Sequence, residues 1–128
     1  MIKGFALDIY DSDVTFAWDT NEKELNAFFD QVDAPQEYRD MFWEEYNQSK
    51  VGALTTGYSA TNMFVVFRDE PNNKVVAHEL FHVAYNVLKH RGVEDEEAWA
   101  YLIGYLTEMF YDLYLDKVEM DDISQESN

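Results

Sequence analysis

Val75-Val76-Ala77-His78-Glu79-Leu80-Phe81-His82-Val83-Ala84-Tyr85 is the stretch that decides how this chain is read. Residues four apart lie one above the other on a helix, so His78 and His82 can aim two imidazoles at one ion. Zinc–nitrogen bonds of about 2.0–2.1 Å suit that spacing. Glu79 sits about 100° round the helix from His78, within reach of a water at such an ion but not placed as its third ligand. The plainer reading is an amphipathic helix with two histidines on its wetter face. Val76, Leu80, Val83 and Val87 supply the apolar stripe that either reading needs.

Working outward, the helix is expected over about 73–90, capped by Asn72 or Asn73. His90-Arg91 places cations at its C-terminal dipole, and Gly92 suits a left-handed stop. Upstream, Ser59 to Phe67 reads as a strand ended by Pro71, and the unbroken Met63–Phe67 run predicts cover on both faces. Gly52 and Gly57 bracket a stretch read as a polar loop.

At the N-terminus, residues 2–10 alternate with period two, and Phe5, Leu7 and Ile9 share the apolar face. Asp11-Ser12-Asp13 turns the chain into a second strand, Val14–Trp18, as a hairpin. Leu25, Phe28, Phe29 and Val32 mark a helix beginning after Asn21. Pro35 opens another helix, 35–48, carrying Tyr38, Met41, Phe42 and Tyr46. A last helix is expected from Glu94-Asp95 to about Asp116, with Ala98, Leu102, Leu106, Met109 and Leu113 as its stripe. Gly104 would let a neighbouring helix approach it closely. Domain 1–117 is then a single unit, and the acidic tail 118–128 is expected to be disordered.

Composition narrows the function classes. The chain has 128 residues, 47% of them hydrophobic, enough for a modest core. Nine Lys+Arg face 26 Asp+Glu, a net charge of −17. That argues against nucleic acid or an anionic membrane as partner and is compatible with metal cations or a basic protein. With no cysteine, thiol catalysis, disulfides and Cys-ligated zinc are excluded. Neither a signal peptide nor an apolar run near 18 residues is present, so a soluble cytoplasmic protein is expected.

A catalytic zinc site takes three protein ligands and keeps a position open for water. His90 lies about 12 Å along the axis from His82 and cannot serve the same ion. The Gly and His of the extended three-histidine motif do not follow His82. If the last helix returns past the first, Glu97 in its first turn is the best third ligand. Glu96 is the choice of a one-residue shift, and acids at a helix start also have a purely dipolar explanation.

With these residues in place, His78-Glu79-Leu80-Phe81-His82, a short connection and Glu97-Ala98 resemble a minimal gluzincin, the glutamate-zincin group of metallopeptidases that includes small ImmA/IrrE-type enzymes. The resemblance runs from about residue 57 to 113. It implies an α+β, zincin-like fold with a small antiparallel or mixed sheet of about three to four strands, packed on the active-site helix and further helices. It also implies that the strand just before the motif helix, Thr61–Phe67, is an edge strand that pairs with extended substrate. The implied cofactor is Zn2+, held by His78, His82 and Glu97, which lowers the pKa of a bound water toward ~7. Glu79 is the implied general base, and a peptide or protein is the implied substrate. Tyr101, Tyr85 and His90 are candidates for stabilising the oxyanion, with Tyr101 the catalytic choice. Asp95, Glu108 and Asp112 could orient the histidines.

Two other readings stand beside the peptidase. One is an acidic binding or nucleic-acid-mimic module on a zincin-like scaffold without hydrolysis. The other is a structural zinc site, for which four protein ligands would be needed.

Overall fold

Along Asn62–Phe67, alternation sends Met63, Val65 and Phe67 to one side and Phe64 and Val66 to the other, and all five are buried. A strand covered on both faces belongs inside a sheet. The computed structural model, which describes residues 1–48, 52–59 and 61–126, with side chains as far as residue 116, places it there. The strands are β1 (Ile2–Leu7), β2 (Ser12–Ala17), β3 (Ala53–Ser59) and β4 (Asn62–Phe67), in the spatial order β1-β2-β4-β3. β1 and β2 form the expected antiparallel hairpin, β2 and β4 run parallel, and β3 and β4 are antiparallel. The sheet is therefore mixed, and the fold is α+β.

Among the described residues four helices cover it: α1 (Glu22–Gln31), α2 (Gln36–Gln48), α3 (Asn73–His90) and α4 (Glu96–Glu126). On one face Leu25, Phe28 and Phe29 of α1 and Tyr38 and Phe42 of α2 pack on Phe64 and Val66. Phe64 stacks on Phe28 at 4.8 Å between ring centroids. On the other face Val76, Leu80, Val83 and Val87 of α3 and Leu102, Leu106 and Phe110 of α4 pack on Val14, Phe16, Val65 and Phe67. Fully burying one such side chain favours folding by about 1.5–3 kcal/mol, so the valine and leucine stripe suffices to dock α3.

Chain reversals follow local chemistry. The β1–β2 connection is a single 3₁₀ turn, Asp8–Tyr10, closed by Asp11 at φ 49°. Aspartate tolerates the left-handed region better than most residues. Gly92, at φ 66°, ends α3 as expected. Gly4 is needed for another reason: a Cβ there would lie 2.7 Å from the Val14 carbonyl oxygen.

The structure departs from expectation at four places. Residues 53–59, read largely as a loop, form β3. The strand expected from Ser59 begins at Asn62 and is interior, so the outer strand beside α3 is β3 and not 61–67. Ile9 leaves the apolar face of β1 and is 85% exposed, because the 3₁₀ turn breaks the period-two alternation before it. Among the described residues nothing lies within 4 Å of a Cβ added at Gly104, so the close helix approach expected there is not found. The expected disordered tail, 118–128, falls where side chains lie outside the described residues, although the helix α4 spans Glu96–Glu126. Among the described residues, no helix is long and apolar enough to cross a membrane.

Candidate metal centre

The Asn72 side chain accepts a hydrogen bond from the backbone N–H of Val75 at 3.0 Å and sets the start of α3. This phases the helix so that its apolar stripe meets the sheet and the opposite side is left to His78 and His82, both exposed. Their Nε2 atoms lie 3.1 Å apart, and the ring centroids are separated by 4.8 Å. Two nitrogens bonded to one tetrahedral zinc at about 2.05 Å would stand about 3.3 Å apart. The pair is therefore at the bite distance of a single ion, although without an ion one neutral ring can donate to the other at the same separation. Asn86 donates to the His82 carbonyl oxygen at 2.8 Å, adding a clasp on the last of the two turns that carry the pair.

Glu79 belongs to the same group. Its carboxylate and the two imidazoles offer ligand atoms that all lie within 4.8 Å of one another. Unlike the histidines it is buried, with 5% exposure. One of its oxygens, Oε2, accepts a hydrogen bond from Thr55 Oγ1 of β3 at 3.0 Å. A cavity of about 290 Å³ opens beside it, lined by Gly52, Ala53, Lys74, Val75, His78 and Glu79. The start of β3 and the first two turns of α3 thus form its walls.

The other expected residues fall elsewhere. The helical hairpin itself forms as expected: Trp99 of α4 packs on Phe81 and Tyr85 of α3, each at 5.7 Å between centroids. These two rings flank His82 in sequence, so the first turn of α4 lies near the site. Glu97 is exposed in that turn, and its carboxylate does not join the group formed by His78, Glu79 and His82. Glu96 is also exposed and outside the group. Asp95 acts as a cap, its Oδ1 accepting from the Glu97 N–H at 3.1 Å. Tyr101 is 82% exposed and lines a different cavity, with Ala6 to Tyr10 and Leu102 and Tyr105. Tyr85 belongs to the aromatic group with Phe81 and Trp99, and Lys89 Nζ lies 5.2 Å from its ring centroid. His90 is exposed in the last turn of α3 and outside the group, as are Glu108 and Asp112 on the exposed side of α4.

Thr55 is the residue that sequence reasoning missed. Its signal was present, since Leu54-Thr55-Thr56 is rich in strand formers and precedes Tyr58. Gly52 and Gly57 on either side are residues common in loops, and they mask that signal.

No protein-family model matches the chain, and no curated protein or solved structure matches it.

Proposed function

We propose that the chain is a zinc-dependent metallopeptidase with a zincin-like arrangement, acting on a peptide or protein substrate in the cytoplasm. The observation that carries this reading is the imidazole pair at 3.1 Å beside a buried carboxylate within 4.8 Å. His78 and His82 would hold the ion through Nε2. Glu97 would complete the set as third ligand once its turn closes on the pair: its carboxylate lies outside the group, and Trp99 packs that turn beside Phe81 and Tyr85. When bound, zinc would supply a Lewis acid that polarises the substrate carbonyl and makes water a nucleophile near neutral pH.

Glu79 does the proton work. A carboxylate oxygen takes a proton from the attacking water and passes it to the nitrogen of the departing amine. Glu79 is buried beside the cavity, and Thr55 occupies one of its oxygens. β3 is the sheet edge on the α3 side, so its outer backbone groups are unpaired within the sheet and can meet an extended chain. It takes the part that the resemblance gave to residues 61–67.

The test is metal content and peptide hydrolysis of the purified chain. Wild type should carry zinc, and Glu79→Gln should retain it while hydrolysis falls by about 10²–10⁴. Hydrolysis indifferent to that substitution removes the mechanism.

The placement of Glu97 outside the group favours a second reading, an acidic binding module without hydrolysis. Its support is the net charge of −17. Salt-sensitive capture of a basic partner that survives both chelator and Glu79→Gln would select it.

A further inference from the structure

We infer that Thr55 is a positioning residue, which fixes the carboxylate of Glu79 for proton transfer. The inference rests on the peptidase reading and adds to it a part for β3. Thr55 Oγ1 donates to Glu79 Oε2 at 3.0 Å across the sheet–helix interface, 24 residues apart in sequence. Glu79 is 5% exposed as a residue, and Thr55 is the protein donor on its carboxylate, so that contact does much to decide where the carboxylate points.

The donor is itself held. Thr55 pairs with Val65 in the β3–β4 ladder, and Val65 is fully buried. A β-branched side chain on a strand has few rotamers, so its hydroxyl is aimed with little freedom. Alternation explains the choice of threonine at 55: Ala53 and Thr55 face α3, whereas Thr56 faces α2 and meets Tyr38. With Oε2 engaged, the other oxygen keeps its lone pairs for a water's proton. The Glu79 side chain has three rotatable bonds, and this contact restrains the last of them. A misaimed base loses rate without losing substrate affinity.

The experiment uses the zinc-loaded full chain and a peptide substrate, with wild type, Glu79→Gln, Thr55→Val, Thr55→Ala and Thr55→Ser. Thr55→Val and Thr55→Ala should each lower kcat by about 10–100-fold with KM and zinc content unchanged, and Thr55→Ser should recover to within about threefold of wild type. In the zinc-free protein, the carbon-13 resonance of the Glu79 carboxylate should move in Thr55→Val and Thr55→Ala and stay in Thr55→Ser. Thr55→Ala covers the case in which valine does not fold, because it removes the donor without placing a methyl against the carboxylate. Wild-type kcat in either donorless variant, with Glu79→Gln inactive, overturns the role of Thr55 alone. Loss in Thr55→Ser equal to that in Thr55→Val does so too, since then the methyl packing, and not the hydroxyl, is what matters. Equal rates for wild type and Glu79→Gln overturn the peptidase reading and this inference with it.

Discussion

Adjacent threonines on β3 face opposite layers and meet unlike partners. Thr55 donates to Glu79, and Thr56 shares a hydrogen bond of 2.5 Å with the Tyr38 phenol. Burial pushes the Tyr38 phenol up to about 12 from 10.0, with Tyr58 and Glu45 adding to the rise and the Thr56 bond opposing it. The folded state therefore holds this proton more tightly than the unfolded chain. The stabilisation is fully present below pH 10.0 and is lost as pH rises from there through about 12. The size of the loss is roughly 3 kcal/mol. Tyr38→Phe should lose less stability across this window than wild type, by about that amount. It should also be less stable at neutral pH by about 1 kcal/mol, because Thr56 then lacks its partner. Urea denaturation at pH 7 and along an alkaline series measures both effects.

At the scale of elements, α3 was legible almost residue by residue. Its span, its Asn72 cap, its Gly92 stop and its buried valines and leucines are where 3.6-residue periodicity and capping chemistry place them. The lower legibility of β3 has a physical source. β3 is covered on both faces but fills them with small and polar residues, Ala53, Thr55, Thr56, Gly57 and Ser59, so its pattern resembles a loop. Ile9 shows the opposite error: the alternation of β1 continues on paper past the point where the 3₁₀ turn ends the strand. Gly104 gives a prediction of its own. It lies within α4, exposed, with no atom within 4 Å of an added Cβ. Gly104→Ala should therefore stabilise the protein by about 0.5–1 kcal/mol, through backbone entropy alone. Thermal denaturation checks the sign, and a lower Tm would mean that the glycine serves a contact not seen here.

Across the whole molecule, the balance of 9 Lys+Arg against 26 Asp+Glu means that most carboxylates have no cation to pair with. Self-repulsion then opposes the compact state, and salt relieves it. Raising sodium chloride from about 0.05 to 0.5 M should raise Tm by roughly 3–5 °C, as screening shortens the Debye length from about 14 Å to 4 Å. A Tm that falls or stays level, measured by calorimetry, would show that ion pairs stabilise more than the surplus charge destabilises.

Local order was written into the chain: where the four helices begin, that Asn72 or Asn73 opens the central one and Gly92 ends it, and that His78, Glu79 and His82 share two of its turns. Those features depend on neighbours within four residues, and such neighbours are visible in sequence. Tertiary structure alone decided that β3 closes the sheet beside α3, that Thr55 meets Glu79 across 24 positions, and that the Glu97 carboxylate stands apart from the imidazole pair. Each of those depends on how packed layers are set against one another, and no repeat along the chain encodes that.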